Sequence, residues 1–452
     1  TPPGYVDRDL LEYWEAKDPL PTHRQLLLDL GLEESTLAEM EDVEQRDIAA
    51  ARQELEDMPW PEPESVTKGV TSLNDAETHE ERFTRLSAIG ESDYSDSPLE
   101  IGVSTLTYAE KGGWTYARSI QQAMADIATR HGDDCMFIGE DMEVAGAFGM
   151  NMALKNAGHT DKLIDMPLCE AAIVHTGVGA ALSGMRPMVE IQFGGFAALG
   201  FNALVNNAAM LRWRWGAECP MTIRIPLGAR TRSGPFHANM IESWFANDPG
   251  LVVVAAGTPQ DAYDLLMESA ELNDPVLFLE HIGLYGLRGG LTGWGQNINQ
   301  KVDTEAVKKA IANGERYKLG KAAVVRGGRD VTLVTWGSML HVAQQAAEQL
   351  ASDDIEVEIV DLRTLLPFDA QTCIDSVMRT GRLVVLQEGQ WCGGLGHSIQ
   401  SRILESCFYT LESAPLVIGA LDTPVPFSPP LENFTIPSVE HVVKILRMTA
   451  QS

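Results

Sequence analysis

A short segment, Asp165–Glu170 with the sequence DMPLCE, has the residue types and the position that acid–base chemistry requires. It places carboxyl groups just after a predicted strand and ahead of an apolar helix, where open α/β sheets bind their ligands. A carboxyl group in an apolar wall keeps its proton more readily than one in water, so Glu170 could share a proton with a ligand. The alternative is structural, because an acidic side chain at this position also stabilises the N-terminus of a helix.

The second candidate is His237, in the segment 232–239 with the sequence RSGPFHAN. The Gly-Pro pair before it predicts a turn, and catalytic side chains are often carried by loops. The alternative is a loop histidine without a chemical role. His175, inside the apolar segment after Glu170, is predicted to be a packed helix residue. The sequence contains no GxGxxG after a strand, no GxxxxGK[ST], no HExxH and no GxSxG, so simple nucleotide-binding and hydrolase functions lose support.

Apolar runs alternate with helical periodicity from Tyr116 onward, beginning with a predicted helix over 116–131. Strands that are apolar on both faces and alternate with helices indicate a mainly parallel sheet covered on both sides. The predicted strands of this first domain are 135–139, 162–166, 222–226, 251–256 and 275–280, with a long apolar segment at 171–188. After a polar connector the alternation restarts as a second, smaller domain, with strands at 330–336, 356–361 and 382–388 and helices at 340–350, 369–378 and 439–448.

Ahead of both domains, the apolar residues of 34–58 recur at helical spacing until the prolines of 59–63 end the helix. The predicted fold class is therefore α/β, with two doubly wound, mainly parallel-sheet domains preceded by a helical N-terminal tail. The predicted boundaries are 1–65 for the tail, 66–114 for an acidic linker or surface wrap, 115–300 for the first domain, 301–325 for the connector and 326–452 for the second domain.

The formal net charge is −30, and the first 100 residues hold 26 acidic and 8 basic side chains. This balance disfavours nucleic acid and anionic membranes as partners. The acidic region is either a solvated helical surface or a docking face for a basic partner. The six cysteines show no CxxC pair and no zinc-site spacing, which indicates reduced thiols in the cytoplasm or an organelle matrix. The longest apolar runs are too short to predict a membrane span, and the polar start does not resemble a secretory signal.

Six segments, in order along the chain, resemble the β chain of the thiamine-diphosphate-dependent pyruvate and branched-chain 2-oxo acid dehydrogenases. The resemblance runs from about Thr115 to the end, and six segments in the right order are far more specific than any one. They are FIGED (137–141), IDMPLCE (164–170), GMRPMVEIQF (184–193), His237 followed by DPG (248–250), DLRTLLPF (361–368) and DTPVPFSPPLE (422–432). The resemblance implies a transketolase-like pyrimidine-binding domain followed by a transketolase C-terminal domain.

The resemblance also implies roles for individual residues. Glu170 matches the glutamate that hydrogen-bonds a ring nitrogen of the cofactor's aminopyrimidine, and Phe196 matches an aromatic residue that packs against that ring. Leu168 and Gln192 match residues that line the same pocket. His237 matches a histidine at the pocket mouth, which assists acylation of a lipoyl group carried by the next enzyme component.

Two arginines ahead of His237 are further candidates. The segment 228–234, GARTRSG, lacks the family's usual glycine-rich run, so the identity of the 2-oxo acid stays open. Arg230 and Arg232 could bind a substrate carboxylate in bidentate fashion, or could be solvated or paired with acidic side chains. The segment 270–275, AELNDP, is one residue shorter than the family's monovalent-cation segment, so no metal site is predicted in this chain.

The N-terminal segments GYVDR (4–8), KDPL (17–20) and PEPESV (61–66) resemble the C-terminal tail of the family's α chain. This implies an α half fused upstream, a chain that starts inside a loop of that half, and an α2β2-like assembly. The Gly-Asp-Gly…Asn pattern, which holds magnesium and the diphosphate in the family, belongs to the α half and is not found in this sequence. The chain is therefore expected to supply half of a thiamine-diphosphate site and to be active only with the α half.

Three functions are consistent with these residues. The first is oxidative decarboxylation of a 2-oxo acid, with acyl transfer to the lipoyl group of an acyltransferase partner. The second is a thiamine-diphosphate-dependent carboligase or transketolase-like enzyme that does not use lipoate. The third is a non-catalytic scaffold, which the presence of both Glu170 and His237 disfavours. Lipoate-dependent turnover would distinguish the first function from the second.

Overall fold

The computed structural model describes residues 8–59, 68–73, 75, 77, 81–82, 84–85, 102–109, 112–286 and 298–452. The chain divides into two compact units, Thr1–Val66 and Thr67–Ser452. The resemblance segments at 4–7 and 61–66 lie outside the described residues, as does most of the predicted acidic linker. No helix in the described ranges is both long enough and apolar enough to cross a lipid bilayer.

The N-terminal unit is helical, as its sequence predicts. Its helices are α1 (Arg8–Glu15), α2 (Pro19–Asp29) and α3 (Glu34–Asp57). The predicted helix at 34–58 is confirmed to within one residue. An ion pair between Arg24 and Glu34, 2.7 Å long, joins α2 to α3. Leu37 is buried, whereas most of the apolar stripe along α3 is exposed, including Met40, Val43, Ile48 and Leu55.

The first sheet of the larger unit has seven strands in the order β10-β5-β6-β4-β3-β1-β2. Six of them pair in parallel: β1 (Cys135–Gly139), β2 (Leu163–Asp165), β3 (Arg186–Glu190), β4 (Thr222–Leu227), β5 (Val252–Ala255) and β6 (Val276–His281). Because these strands are parallel, the loops after them leave from one edge of the sheet. The loops after β1, β2, β3 and β4 are neighbours there.

The helices that cover this sheet are α4 (Tyr116–His131), α5 (Met152–Asn156), α6 (Glu170–Leu182), α7 (Leu211–Trp215), α8 (Glu242–Phe245) and α9 (Pro259–Glu271). The predicted helix 116–131 is confirmed at both ends. It begins where Thr115 accepts a hydrogen bond from the Arg118 N–H, 3.1 Å long. The apolar segment 171–188 divides into α6 and β3 at Gly184, whose φ of +93° suits glycine.

The second sheet has the order β12-β11-β8-β9-β7 and is parallel except for β7, which pairs antiparallel with β9. Its strands are β7 (Ala323–Arg326), β8 (Val331–Thr335), β9 (Val357–Asp361), β11 (Leu383–Gln390) and β12 (Leu416–Ala420). Its helices are α11 (Met339–Ala351), α12 (Ala370–Thr380), α13 (Leu395–Cys407), α14 (Pro429–Thr435) and α15 (Val439–Ala450), and α10 (Glu305–Ala312) lies in the connector. The predicted strands and helices are confirmed, whereas β7, β12, α10, α13 and α14 were not predicted.

The part of the chain that forms the second sheet also contributes one strand to the first sheet, across the predicted domain boundary. Strand β10 (Thr364–Leu366) follows β9 in the chain but pairs antiparallel with β5 at the edge of the first sheet. A buried ion cluster lies beside this junction, where Lys318 contacts Asp261 at 2.7 Å and Arg363 contacts Asp261 at 3.3 Å. The two sheets therefore belong to one compact unit, and the predicted boundaries at 300 and 326 remain predictions.

Within the larger unit, the described parts of residues 68–109 make contacts with both sheet-containing regions. The Ser72 N–H donates to the Asp274 carboxylate at 2.7 Å, and Arg85 pairs with Glu405 at 2.9 Å. Farther along, the Ser104 N–H donates to the Val324 carbonyl at 2.8 Å. Of the two possibilities for this segment, these contacts favour a surface wrap over a free linker.

Candidate active site

The loops after four neighbouring parallel strands carry most of the candidate residues to one edge of the first sheet. From the chain order, Glu140 and Asp141 follow β1, Glu170 follows β2, Gln192 and Phe196 follow β3, and His237 follows β4. The loops after β1 and β2 are joined by a hydrogen bond from the Met166 N–H to the Gly139 carbonyl, 2.8 Å long. The topology therefore brings together residues that are almost 100 positions apart in the sequence.

Glu170 is the first residue of α6 and is only 3% exposed. Leu168, two residues earlier, is 79% exposed. The turn after β3 lies close to the same helix start, because a Cβ atom added at Gly200 would be 3.7 Å from both the Glu170 and the Ala197 carbonyl oxygens. The start of α6, which carries Glu170, is therefore adjacent to the exposed Leu168 and to the turn that carries Phe196.

A second acidic residue, Glu140, lies near Glu170. Burial raises the pKa of Glu140, and repulsion from Glu170, then from Asp141 and Glu190, raises it further. Glu140 therefore holds its proton more readily than an isolated carboxyl group does. The sequence contained Glu140 within a resemblance segment, but nothing in its local pattern assigned it to the site.

Gln192 and Asp141 join the loops after β3 and β1. The Gln192 side-chain N–H donates to the Asp141 carboxylate, with the two atoms 3.2 Å apart. Asp141 has a φ of +56°, in the left-handed region that non-glycine residues seldom adopt. Gln192 is half-buried, and it follows β3 at the same edge of the sheet as the loop that carries Glu170.

The imidazole of His237 packs against two aromatic rings. Its ring centroid is 4.4 Å from that of Phe193 and 5.4 Å from that of Phe196, with interplanar angles of 87° and 71°. The Phe193 and Phe196 rings are themselves 5.8 Å apart in an edge-to-face arrangement. Such contacts fix the plane of the imidazole. The structure thus brings together His237 and Phe196, both expected at the site, and adds Phe193, which the sequence did not single out.

A buried charge network lies beneath this edge of the sheet. The Arg224 guanidinium contacts Glu190 at 2.6 Å and Glu280 at 2.6 Å, and all three side chains are buried. Although burial alone would lower the pKa of Arg224, Glu280 and Glu190 raise it well above its usual range. The Tyr285 hydroxyl donates to Glu280 at 2.6 Å. Burial raises the pKa of Glu190, so this carboxyl group holds its proton more readily than one in water.

Arg230 and Arg232 lie on the same loop as His237 and face α14. The Arg232 guanidinium forms an ion pair with the buried carboxylate of Glu432 and also donates to the Asn433 side-chain oxygen at 3.0 Å. The Arg230 backbone N–H donates to Glu432 at 2.9 Å. Arg232 therefore has the acidic partner that one of the sequence alternatives expected, and a substrate role for either arginine remains a prediction.

A buried histidine–carboxylate pair underlies the start of the same loop. His281 Nε2 is 2.8 Å from Glu388, which also accepts a hydrogen bond from the Ala229 N–H at 2.7 Å. Burial alone would raise the pKa of Glu388, but His281, Ser338 and the Ala229 N–H together lower it to about 2. No local pattern predicted this pair, because its members are 107 residues apart and come from different sheets.

The buried carboxyl group of Glu242, in α8, has a pKa that depends on its burial and on the charge of Glu388. Burial, and then repulsion from Glu388, raises its pKa to about 7 from the usual 4.5, despite hydrogen bonds that oppose the shift. Between these two values the folded chain holds a proton that the unfolded chain has lost, so stability falls as pH rises from 4.5 to 7. We expect Glu242→Gln to raise the free energy of unfolding by about 1–3 kcal/mol at pH 8 and to change it little at pH 4.5.

Denaturant unfolding at both pH values measures this difference. The matched control is Glu218→Gln, at an exposed position, which we expect to leave stability unchanged at either pH. An effect of Glu242→Gln that is the same at pH 4.5 and pH 8 would contradict the raised pKa.

Comparisons with known proteins identify the family. Residues 113–287 match the transketolase pyrimidine-binding domain, and residues 320–442 match the transketolase C-terminal domain. The pyruvate dehydrogenase E1 component β subunits of Bacillus subtilis and Staphylococcus epidermidis are 35% and 34% identical to this chain, over 70% and 75% of it and 93% and 98% of their own lengths. The chain belongs to the E1 β-subunit family of thiamine-diphosphate-dependent 2-oxo acid dehydrogenases.

Another relative of this E1 β-family chain is the β subunit of acetoin:2,6-dichlorophenolindophenol oxidoreductase from Cupriavidus necator. It is 39% identical over 313 residues, which cover 69% of this chain and 87% of that protein. Among solved structures, one described as a split gene transketolase, inactive beta4 tetramer, aligns with a TM-score of 0.55 at 18% identity, covering 75% of this chain and 99% of that chain. This likeness concerns the fold alone, and it confirms the predicted transketolase-like α/β class.

Other sequence predictions have mixed outcomes in this E1 β-family member. His175, predicted to be a packed helix residue, is exposed on α6, and that prediction is wrong. Its Nδ1 lies 2.8 Å from the Ala171 carbonyl oxygen in the preceding turn. All six cysteines are free, as predicted, and Cys169 and Cys392 are exposed. Among the described residues, no group of three or more His, Cys, Asp and Glu side chains is arranged to hold a metal ion.

Proposed function

We propose that this chain supplies the β half of the active site for thiamine-diphosphate-dependent oxidative decarboxylation of a 2-oxo acid, with transfer of the acyl group to a lipoyl group. The observation that carries the proposal is the placement of Glu170. Its carboxyl group is buried at the start of α6, at the edge where the loops with Gln192, Phe196 and His237 meet.

The side chains at this edge fit the aminopyrimidine part of the cofactor. A ring nitrogen requires a carboxyl partner shielded from water, which Glu170 provides. The flat ring requires an aromatic or apolar wall, which Phe196 and the exposed Leu168 provide. When bound, the cofactor supplies an electron sink for breaking the bond beside the substrate's keto carbon.

We assign Glu170 the task of holding a proton at the aminopyrimidine ring nitrogen. A buried carboxyl group is suited to this task because water cannot compete for the hydrogen bond to the ring nitrogen. Gln192, fixed by its hydrogen bond to Asp141, would line the pocket beside the same ring.

We assign His237 to the acyl-transfer step at the mouth of the pocket. Its half-buried imidazole is fixed by Phe193 and Phe196, and Phe236 beside it is exposed. An imidazole in a fixed position next to exposed apolar surface can give a proton to, or take one from, an arriving lipoyl sulfur.

We further propose that an α half completes the site and holds magnesium and the diphosphate, in an α2β2-like assembly. The relatives named as β subunits support a partner chain. Leu168, Leu199 and Phe236 are large apolar side chains near the candidate residues that are exposed in this chain, as interface residues are before assembly. The exposed apolar stripe of α3 supports assigning the N-terminal unit to the tail of an α half that is fused upstream.

The partner that receives the acyl group is proposed to be a lipoyl-bearing acyltransferase, and the compartment is proposed to be the cytoplasm or an organelle matrix, because all six thiols are free. A second candidate substrate is acetoin, since the 39% identical relative is named for it. Turnover with pyruvate, branched-chain 2-oxo acids and acetoin, each with 2,6-dichlorophenolindophenol as the electron acceptor, would choose between these substrates.

The experiment that tests the proposal is calorimetric titration of thiamine diphosphate with magnesium into the full α–β assembly and into the 452-residue chain alone. We expect tight binding to the assembly and weak or no binding to the single chain. Tight binding to the chain alone would contradict a shared site. Absence of binding in both would favour a scaffold that has kept the fold.

A further inference from the structure

The loop between β4 and His237 has an unusual backbone. Gly228, Arg230, Arg232 and Gly234 have φ values of +97°, +71°, +61° and +74°, so every second residue is left-handed. Glycine adopts this conformation freely, but arginine does so rarely and only when surrounding groups hold it. Something outside the loop must therefore keep Arg230 and Arg232 in place.

The carboxylate of Glu432 contacts both arginines. Glu432 belongs to α14 and is fully buried, with 0% exposure. One of its oxygens accepts the Arg230 backbone N–H at 2.9 Å, and the other forms the ion pair with the Arg232 guanidinium. The same guanidinium donates to the Pro429 carbonyl oxygen at 3.2 Å. A single side chain of the second sheet's domain thus holds both left-handed non-glycine residues of the loop.

Close packing fixes the two glycine ends of the loop. A Cβ atom added at Gly228 would lie 2.2 Å from the His281 ring, and one added at Gly234 would lie 2.3 Å from the Phe427 ring. At the first of these ends, Glu388 accepts the Ala229 N–H at 2.7 Å. The loop is therefore clamped at its ends by packing and by Glu388, and at its centre by Glu432.

His237 follows this clamped loop by one turn. The Ala238 N–H donates to the Gly234 carbonyl at 3.1 Å, which closes the turn around the histidine. On its other side the turn packs tightly on the loop after β3, since a Cβ atom added at Gly195 would lie 2.6 Å from the Phe236 carbonyl oxygen. The position of the imidazole against Phe193 and Phe196 thus depends on where the loop places Gly234.

We propose that Glu432 is a positioning residue for His237, acting through Arg230 and Arg232. Its carboxylate holds the loop in the conformation that places the imidazole against the Phe193 and Phe196 rings. In this arrangement Arg232 serves the loop as the partner of Glu432. The inference deepens the proposed function, because it rests on the role assigned there to His237.

The test measures the reactivity of His237 directly, without any activity assay. Purified chain is treated with diethylpyrocarbonate, and carbethoxylation of each histidine is followed by peptide mass spectrometry. We expect Glu432→Gln and Glu432→Ala to raise the rate of carbethoxylation at His237 by about tenfold. This ratio corresponds to a decrease of about 1.4 kcal/mol in the free energy of local opening of the loop. The exposed His23, in the N-terminal unit, serves as the internal reference and should not change.

The matched control is Glu268→Gln. Glu268 is also a buried glutamate that accepts backbone N–H groups from a loop, at 2.8 Å from Tyr317 and 2.7 Å from Lys318, but it does not contact the His237 loop. We expect it to lower thermal stability while leaving the rate at His237 within about twofold of wild type. If the Glu432 variants do not fold, Arg232→Gln removes the ion pair from the other side, with the same expectation for His237.

An unchanged rate at His237 in a folded Glu432 or Arg232 variant would overturn the proposal. An equal increase of the His237 rate in the Glu268→Gln control would also overturn the proposal, because the greater exposure of His237 would then result from a general loss of stability. These outcomes are separate from failure of the proposed function. If His237 proves dispensable for acyl transfer, its reactivity still shows whether Glu432 positions it.

Discussion

Glu170→Gln is expected to fold like the wild type and to lose about a hundredfold or more of its turnover in the α–β assembly. The amide has nearly the same size and polarity as the carboxyl group, so the buried start of α6 should be preserved. It cannot hold and release the proton that the aminopyrimidine ring nitrogen requires. The loss should therefore appear in every reaction of the enzyme, whichever electron acceptor is supplied.

Steady-state turnover with 2,6-dichlorophenolindophenol and with a lipoyl acceptor measures this loss, and thermal unfolding checks the fold. Glu143→Gln is the matched control, because Glu143 is an exposed glutamate near the same edge, with its backbone N–H bonded to Asp165 at 3.0 Å. We expect that variant to keep its activity. Turnover near the wild-type level in Glu170→Gln would contradict the role proposed for Glu170 at the aminopyrimidine ring.

His237→Ala is expected to separate two steps that Glu170→Gln affects together. Acyl transfer to a lipoyl group should slow by about a hundredfold, because the imidazole that exchanges a proton with the lipoyl sulfur is lost. Decarboxylation read with 2,6-dichlorophenolindophenol should persist, since Glu170, Gln192 and Phe196 remain. The two rates are measured side by side on the same preparation of the assembly.

The control for this experiment is His159→Ala. His159 is a half-buried histidine that contacts Thr129 at 3.0 Å, away from the carboxyl edge of the sheet. It should leave both rates unchanged. An equal loss of both rates in His237→Ala would assign His237 to decarboxylation itself, and no loss in either would remove it from the active site.

The strands and helices could be predicted from sequence wherever burial or capping leaves a local pattern. The helix 116–131 was predicted at both ends, and in the structure Thr115 caps its start and Gly132 its end. The buried strands from β1 to β11 that were predicted lie within one or two residues of their observed bounds. Strands β10 and β12 were not predicted, since β10 has only three residues and β12 is a half-buried edge strand.

The candidate site could be predicted only in part. Glu170 and His237 were identified because one precedes an apolar helix and the other follows a Gly-Pro turn. Their roles, and those of Leu168, Gln192 and Phe196, came from the family resemblance. Glu140 and Phe193 were not assigned, because their importance depends on neighbours from other strands.

The sequence by itself determined the family and the α/β fold class, and it singled out Glu170 and His237 as candidate site residues. These follow from patterns within short segments, where the spacing of apolar side chains and the turn residues act over a few positions. Only the tertiary structure decided that Arg232 pairs with Glu432, that His281 pairs with Glu388, and that His237 packs against Phe193 and Phe196. The ion pairs join residues more than 100 positions apart and the ring contacts join the loops after β3 and β4, so they exist only once the sheets have formed and packed together.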